Sequence, residues 1–432
     1  MEADARPDGE GAALRDTIYA LSSGAPPAGV AIVRISGPRA ADALVALGRR
    51  LPAPRVATFR KLTIDGEPLD NSVLLWLPGP KSATGEDVSE LHLHGGRAVI
   101  ARALAALGAM EGLREALPGE FTRRAFENGA LDLSEAEGLG DLLTAETEGQ
   151  RRAALALMGG ALSRLVLAWQ DGLLALAAQV EAALDFSDED DVAPLAGGFV
   201  GEVAAQRDVM LALLAQPGAE RLKDGVRVVV AGPPNAGKSS LLNALAQREA
   251  AIVTDLPGTT RDLVEVPVAL GGIPFLLTDT AGLRDTEDRV EAIGVARAQA
   301  SLAIADIVLW LGPPEQAPDG AVRVHAKSDL GESGPADIAT SVLTGAGLPE
   351  LVALLQARAR TLLPVEGDVA LNARHRAAIA EAAAALEEAT NADLLIAAEA
   401  LRTARTALDR VTGKAGVEEM LDALFGRFCI GK

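Results

Sequence analysis

The feature that most constrains this chain is a phosphate-binding loop that begins at Gly232. Residues 226–230 form a short run of mostly β-branched side chains, which is typical of a buried strand. The sequence GPPNAGKS at 232–239 then matches G-x-x-x-x-G-K-[ST] at every fixed position, and a helical apolar pattern follows. Backbone N–H groups of such a loop and of the helix N-terminus point at one phosphate. The motif therefore predicts a nucleotide site in which Lys238 contacts the β- and γ-phosphates and the Ser239 hydroxyl binds Mg²⁺.

The composition predicts a multidomain chain of the cytoplasm. Its 432 residues suggest about two to four domains, and 49% apolar residues are ample for their cores. A net charge of −20 argues against non-specific adhesion to nucleic acid or to an anionic membrane, while a local basic patch for an RNA partner stays open. The single cysteine, Cys429, excludes an internal disulfide, and charged residues interrupt the apolar stretch 162–184. We therefore expect a cytoplasmic protein without a membrane segment.

Residues 14–130 predict an α+β domain. Apolar runs indicate strands at 18–21, 30–35, 73–77 and 90–94 and helices at 40–47 and 99–107. Three polar turns lie within this domain: Thr84-Gly-Glu-Asp87, His94-Gly-Gly96 and Pro118-Gly-Glu-Phe-Thr-Arg-Arg124. Each alone is typical of a solvated turn, but their clustering makes a small-molecule site an equally good interpretation.

The rest of the chain predicts a P-loop α/β G domain inserted in an all-α helical bundle. Ala- and Leu-rich helical patterns occupy 131–224 and 364–432, and strands alternate with helices between them, over 225–363. Within the G domain, a hairpin is expected to turn at Gly271-Gly272. Residues 217–225, rich in turn formers, are expected to be the linker into it.

Two further motifs indicate a GTPase switch. Asp279-Thr-Ala-Gly282 follows a predicted strand, where the carboxylate can orient Mg²⁺ and the Gly282 N–H can contact a γ-phosphate. The preceding segment, TDLPGTTRD at 254–262, offers Thr260 as a second hydroxyl ligand of Mg²⁺. Such a loop is expected to become ordered only with a γ-phosphate present.

The guanine-reading motif is incomplete. In place of N-K-x-D the chain has Ala326-Lys-Ser-Asp329, so Asp329 can accept from the guanine N1 and N2 donors but Ala326 cannot contact N7. Because a net hydrogen bond contributes about 0.5–1.5 kcal/mol, we expect a weakened but retained nucleotide affinity. Ser341-Val342 follows where a short polar segment usually backs the base.

The predicted GTP contacts come from four segments of the G domain. They are Asn235, Ala236, Gly237, Lys238, Ser239, Ser240, Thr254, Asp255, Leu256, Pro257, Gly258, Thr259, Thr260, Asp279, Thr280, Ala281, Gly282, Lys327, Asp329 and Ser341. The residue after Gly282 is Leu283, which cannot polarise water as the glutamine of many GTPases does. Hydrolysis then needs another group, and Arg284, Asp285, Glu287, Asp288 and Glu291 are the candidates.

Taken together, these motifs make the chain resemble the MnmE (TrmE) family of tRNA-modifying GTPases over nearly its whole length. The matching sequences are GPPNAGKSS, TDLPGTTRD, DTAGLRD, VEAIG, VRISG, TGED, HGG, PGEF and the terminal FCIGK. The resemblance implies a homodimer formed through the front domains, whose G domains meet when GTP and K⁺ bind. It implies K⁺ ligands at Asn235, Thr254, Leu256 and Thr259, and a Glu291 carboxylate that positions the attacking water.

The resemblance also implies a folate site in the front domain. A 5-formyl- or 5,10-methylene-tetrahydrofolate would contact Arg34, Glu90 and Lys432, and Cys429 would act as a catalytic thiol beside it. The chain has Ala130 where the family usually has a lysine, which removes one charged contact.

The implied reaction is addition of an aminomethyl or carboxymethylaminomethyl group to C5 of the wobble uridine of certain tRNAs. The implied partner is the flavoprotein MnmG (GidA), which carries FAD and uses NADH, in a heterotetramer or larger complex. Two alternatives stay open at this point. One is a ribosome- or RNA-assembly GTPase, and the other is a nucleotide-binding scaffold impaired in hydrolysis, which Ala326 and Val342 would favour.

Overall fold

The chain forms two units, and the computed structural model describes residues 16–185, 198–248, 265–279, 300–331, 335–365, 367–391, 393–415, 418–426 and 428–432. The front unit comprises Met1–Glu137 together with Thr412–Lys432, and the second unit comprises Gly138–Val411. The C-terminal segment thus belongs to the same unit as the N-terminal one, although the whole second unit separates them in the sequence.

Both units contain strands and helices. The strands are β1 (Thr17–Leu21), β2 (Ala28–Ser36), β3 (Thr58–Ile64), β4 (Glu67–Leu77), β5 (Val88–Gly95), β6 (Leu113–Glu115), β7 (Val226–Ala231), β8 (Glu265–Leu270), β9 (Ile273–Asp279), β10 (Ile307–Trp310), β11 (Val322–Ala326) and β12 (Ile338–Thr340). The helices are α1 (Ala40–Gly48), α2 (Arg97–Gly108), α3 (Glu120–Glu127), α4 (Leu133–Thr144), α5 (Glu148–Met158), α6 (Ala161–Asp185), α7 (Phe199–Leu214), α8 (Glu220–Asp224), α9 (Lys238–Arg248), α10 (Leu348–Arg360), α11 (Ala373–Asn391), α12 (Leu394–Thr412) and α13 (Glu418–Phe425).

A six-stranded sheet in the order β3-β4-β5-β2-β1-β6 organises the front unit. The pair β1–β6 is parallel and the other pairs are antiparallel. Because side chains alternate along each strand, the two faces of the sheet differ. One face carries the apolar core, which includes Val33 and Leu91 and is shared with α1 and α2. On the other face Ile18 and Ala20 pack with Phe121 of α3, and the polar residues of β2 and β5 lie on that face.

A second six-stranded sheet, in the order β12-β11-β10-β7-β9-β8, organises the nucleotide-binding part of the second unit. All its pairs are parallel except β8–β9. Strand β7 is apolar except for Arg227, which suits a central parallel strand covered on both faces, and α9 and α10 supply Leu241 and Leu351 to the same core. The loop after β7 and the end of β9 therefore meet at one edge, where ligands of such sheets bind.

The hairpin between β8 and β9 confirms the predicted turn. Gly271 and Gly272 have φ of 58° and 79°, the left-handed conformation that a two-residue type I′ turn requires at both central positions. Side-chain-bearing residues adopt this conformation only with strain, so the Gly-Gly pair determines where the chain reverses.

Helices from both sides of the G domain pack into one bundle. Residues of α6 and α7 share a core with residues of α11 and α12, for example Val166 and Phe199 with Ile379 and Leu408. The predicted fold class, with the G domain inserted in the helical bundle, is therefore confirmed. Among the described helices, α6 alone has the length and apolar composition of a membrane crossing, and its Leu162, Val166 and Leu173 lie in the bundle core, as in many core helices.

The segment 217–225 differs from its prediction as a linker, because it contains α8. Leu222 packs against the core of the G-domain sheet, and Arg221 Nε donates to Asp306 Oδ1 at 2.6 Å. Helix α8 was not predicted, because it is too short to show apolar periodicity and is flanked by the turn formers Pro217, Gly218 and Gly225. The domain boundaries at 130, 224 and 363 stay predictions.

Candidate functional site

The loop 232–237 has the backbone conformation of a phosphate-binding loop. Gly232 and Gly237 have φ of 148° and 97°, and Asn235 has φ of 61°, which is uncommon outside glycine. A Cβ at Gly232 would lie 3.0 Å from the backbone carbon of Leu311, so the chain passes too close to β10 for a side chain. With these backbone conformations, successive N–H groups of the loop point into one concavity, which suits an anion.

Lys238 lies folded over this concavity. Its ammonium group donates to the carbonyl oxygens of Gly232 at 3.1 Å and Pro233 at 2.8 Å, and the residue is only 6% exposed. A buried ammonium requires such partners, and the β- and γ-phosphates of a nucleotide would offer stronger, charge-assisted ones.

Ser239 and Asp279 are brought together from two separate motifs. Ser239 Oγ donates to Asp279 Oδ2 at 2.5 Å, and Asp279 is 7% exposed at the end of β9. A hydroxyl beside a carboxylate provides the hard oxygen atoms that Mg²⁺ prefers. No cluster of three or more His, Cys, Asp or Glu side chains with metal-binding geometry occurs among the described residues.

The guanine-reading residues converge on the same edge of the sheet. Lys327 has φ of 59° and its ammonium donates to the Asn235 carbonyl oxygen at 2.9 Å, which ties this motif to the phosphate loop. Ser341 Oγ donates to Asp329 Oδ1 at 2.5 Å, so Ser341 orients the carboxylate that would read the base. Ala326 ends β11, and a Cβ placed on Gly237 would lie 3.7 Å from the Ala326 Cβ.

One cavity adjoins this loop, and another adjoins the helix that follows it. One of about 450 Å³ is lined by residues that include Asn235, Ala236, Ala326 and Lys327. The other, of about 440 Å³, is lined by Ser240, Asn243, Ala244, Gln247, Val342, Gly345 and Leu348. The predicted contacts Ala236 and Ser240 thus line different cavities.

The remaining predicted G-domain contacts lie outside the described residues. They are Thr254, Asp255, Leu256, Pro257, Gly258, Thr259, Thr260, Thr280, Ala281, Gly282 and Glu291. Their roles stay predictions.

In the front unit, Arg34 and Glu90 form a cross-strand pair on the polar face of the sheet. They are directly opposite in the β2–β5 register, and Arg34 Nε and a terminal nitrogen donate to Glu90 Oε1 at 3.0 and 2.9 Å. The Arg34 guanidinium carbon lies 5.8 Å from the centre of the Phe121 ring, within cation–π range. His92 Nε2 is 3.1 Å from Glu90 Oε2. Sequence analysis missed His92, although the two-residue spacing from Glu90 places both on one face of a strand.

The C-terminal residues reach the strand next to Arg34. Gly431 lies so close to β1 that a Cβ on it would be 2.2 Å from the Leu21 carbonyl oxygen, and Leu21 is paired with Val33. Lys432 is half-buried and Cys429 is an exposed free thiol. Of the three predicted folate contacts, Arg34 and Glu90 therefore lie on adjacent strands, and Lys432 follows a glycine that packs on β1.

The conspicuous polar turns of the front domain bond to one another. Ser36 Oγ is 2.7 Å from Thr84 Oγ1 and donates to Glu86 Oε2 at 2.9 Å. Arg124, 5% exposed, pairs with both Glu86 and Glu120, at 3.1 and 3.3 Å. Thr84 and Glu86 of the first turn thus share one polar network with Glu120 and Arg124 of the second, which accounts for these four residues by folding alone.

His94 forms a separate pair with Asp70. The His94 N–H donates to Asp70 Oδ2 at 2.8 Å, and its ring Nδ1 is 2.7 Å from Oδ1. Burial raises the pKa of Asp70, but the hydrogen bonds from His94 and Asn71 outweigh it and hold that pKa below 3.8. The third polar turn is therefore not part of the network around Arg124.

We predict that Glu120→Gln destabilises the front unit in a pH-dependent way. Glu120 accepts from both terminal nitrogens of Arg114, at 2.8 and 2.5 Å, and from Leu117 N at 2.8 Å. Burial raises its pKa, but these bonds hold the pKa below 4.5 overall. Because the pKa of Glu120 is lower in the folded than in the unfolded state, its carboxylate stabilises the fold at pH values above the unfolded-state pKa. Glu120→Gln should therefore lower the free energy of unfolding by about 2 kcal/mol at pH 7, and this loss should shrink as the pH falls below about 4.5.

Hydrogen exchange of residues 113–127 at pH 7 and pH 4 measures this change. Glu148→Gln is the matched control, because Glu148 also accepts from two arginines, Arg151 and Arg152, but is exposed. Exposed pairs contribute little, so this control should leave exchange unchanged. Equal effects of Glu120→Gln at both pH values would contradict the role of its charge.

Comparison with known proteins agrees with these observations along the chain. A protein-family model described as the MnmE helical domain matches residues 133–429, and one described as the N-terminus of the GTP-binding protein TrmE matches residues 17–130. The tRNA modification GTPase MnmE of Rhizorhabdus wittichii is 61% identical over 430 residues, 98% of each chain. That of Erythrobacter litoralis is 58% identical over 424 residues, which are 96% of this chain and 100% of the relative.

Among solved structures, the G domain of the T. maritima FeoB iron transporter is similar to part of the chain. It is 26% identical and covers 31% of this chain and 98% of its own length, with a TM-score of 0.24. The overlap is confined to a minor part of the molecule.

Proposed function

This chain belongs to the MnmE (TrmE) family of tRNA modification GTPases, and from that membership we infer that it hydrolyses GTP in the course of tRNA modification. The observation that supports this most strongly is the convergence of Lys238, Ser239, Asp279 and Asp329 at one edge of the G-domain sheet. The family match over both helical and front segments disfavours the ribosome-assembly alternative.

In the proposed site each G-domain residue has one task. Lys238 exchanges its two loop carbonyls for phosphate oxygens, and the Ser239–Asp279 pair offers oxygen ligands to Mg²⁺. Asp329, oriented by Ser341, accepts from the guanine N–H groups. Glu291 positions the attacking water, as the family resemblance implies. Mg²⁺ and K⁺ would supply the positive charge that stabilises phosphoryl transfer.

We predict that GTP turnover is at least about tenfold faster in KCl than in NaCl of equal ionic strength. Asn235 lies within the phosphate loop in a left-handed backbone conformation, and its side-chain oxygen is the proposed ligand of K⁺. Asn235→Ala should remove the difference between the two salts. Asn243→Ala, which changes the same residue type on α9, is the control and should keep it. Equal turnover of the unchanged protein in both salts would contradict K⁺ activation.

We propose that the front unit binds a tetrahydrofolate carrying a one-carbon unit, through Arg34, Glu90 and Lys432. The Arg34–Glu90 pair is half-buried beside the Phe121 ring, which suits a heteroaromatic ring that has both donors and acceptors. Cys429 would act in the same reaction. The partner would be the flavoprotein MnmG, with FAD and NADH, acting with a homodimer of this chain on the wobble uridine in the cytoplasm.

The test is reconstitution of the reaction. The purified chain is combined with MnmG, 5,10-methylene-tetrahydrofolate, NADH, GTP and unmodified tRNA, with ammonium or glycine as the source of the nitrogen, and the nucleosides are analysed by mass spectrometry. A C5-modified wobble uridine that requires this chain and GTP is the expected product. An unchanged uridine under conditions in which GTP is hydrolysed would overturn the folate-dependent reaction.

A further inference from the structure

The C-terminal tail, defined as residues 426 and 428–432, follows helix α13, which contacts α3. Arg123 of α3 donates to Asp422 Oδ1 of α13 at 2.7 Å. The Phe425 ring is 6.4 Å from the Phe126 ring and 6.1 Å from the Phe428 ring, both tilted. Such spacings are typical of attractive aromatic contacts, so the three rings join α3 to the start of the tail.

A glycine makes this attachment possible. Gly119 has φ of +70°, and a Cβ on it would lie 2.2 Å from the Phe425 carbonyl oxygen. That atom belongs to the backbone, so a side chain at 119 would have to displace the end of α13. The neighbouring Pro118 forms a β-bridge with Ile430, which aligns the tail with the same turn.

A second glycine allows the far end of the tail to pack closely against β1. Gly431 has φ of +95°, and a Cβ on it would lie 2.2 Å from the Leu21 carbonyl oxygen of β1. Cys429 and Ile430 thus lie between two close backbone contacts, at Gly119 and at Gly431. The Cys429 thiol remains exposed within a segment whose two ends are fixed.

We infer that Gly119 and Gly431 are positioning residues that fix the Cys429 thiol and Lys432 beside the sheet face carrying Arg34 and Glu90. Each glycine acts indirectly. It lacks a side chain that would clash with the facing backbone, so the tail can pack closely against the front unit. The consequence for tRNA modification rests on the proposed function, whereas the position of the tail does not.

The single cysteine allows the tail to be observed directly. A nitroxide attached to Cys429 reports by electron paramagnetic resonance whether the tail is restricted or mobile, without any contribution from another thiol. Gly129→Ala is a matched control for Gly119→Ala, because Gly129 has φ of +68° but no atom within 4 Å of the added Cβ. Backbone strain is therefore the same in both variants and only Gly119→Ala has the clash.

We expect a restricted nitroxide in the unchanged protein and in Gly129→Ala, and a mobile one in Gly119→Ala and Gly431→Ala. Unlabelled Gly119→Ala should lose at least about tenfold in wobble-uridine formation and keep its GTP turnover. Should Gly119→Ala fail to fold by circular dichroism, Gly431→Ala decides, since Gly431 belongs to none of the apolar core clusters of the described residues.

Equal nitroxide mobility in the folded variants would overturn the inference, and so would an equal loss of modification in Gly129→Ala. If the unchanged protein modifies no uridine, the proposed function fails, while the nitroxide spectra still decide whether these glycines position the tail.

Discussion

Lys238→Ala is expected to lower GTP turnover by at least about 100-fold, because it removes the only side-chain charge that the described part of the loop directs at the phosphates. The ammonium is already held at the concavity by two carbonyl oxygens, so little ordering is needed when a nucleotide enters. Loss of one such preorganised charge typically costs about 3 kcal/mol in the transition state. Phosphate release at saturating GTP measures the effect.

Lys223→Ala is the matched control for this prediction. Lys223 is also in the second unit and pairs with a carboxylate, Asp141, at 2.5 Å, but it lies on α8, outside the loop. Its loss should leave turnover within about twofold, as expected for an exposed pair. Turnover of Lys238→Ala close to that of the control would mean that the nucleotide is not bound in this loop.

Asp329→Asn is expected to reverse the preference between GTP and xanthosine triphosphate. The carboxylate accepts hydrogen bonds from the guanine N1–H and 2-amino groups. The amide of asparagine would instead direct an N–H donor at one of these two donors. Xanthine carries a carbonyl at that position, which the amide N–H can satisfy. The substitution removes the carboxylate that accepts two charge-assisted hydrogen bonds, so the affinity for GTP should fall about 100-fold.

Competition titrations with a fluorescent guanine nucleotide measure this change. Ser341→Ala provides a graded comparison, because it removes only the hydroxyl that orients Asp329 at 2.5 Å and should weaken GTP binding by about tenfold or less. An unchanged preference in Asp329→Asn would show that the base is read elsewhere, which matters here because Ala326 already lacks the usual contact to N7.

Local motifs predicted the secondary structure around the phosphate-binding loop, because the strand, loop and helix follow one another in consecutive residues. The loop at 232–239 follows a strand and begins a helix as expected, and Gly271-Gly272 turns the hairpin. The contact between Ser239 and Asp279 was implied by a shared Mg²⁺ role, but the Ser341–Asp329 bond was not, since it depends on the tertiary arrangement of two loops.

Sequence patterns could not predict contacts between segments that are distant along the chain. The Arg34–Glu90 pair follows from a strand register that spans 56 residues, and without it His92 gives no signal of its own. Strand β3 was not predicted, because Arg60 and Lys61 interrupt its apolar alternation. Gly119 appeared to be an ordinary turn residue until the backbone of Phe425 was found against it.

The central claim is that GTP held at Lys238 is hydrolysed to modify the wobble uridine of tRNA. Nucleoside analysis of tRNA from a strain lacking this chain, complemented by the unchanged protein or by Lys238→Ala at equal abundance, tests it most directly. The account predicts that the C5-modified uridine disappears on deletion, returns with the unchanged protein and stays absent with Lys238→Ala. Normal uridine modification in the deletion strain, or full recovery with Lys238→Ala, would contradict it.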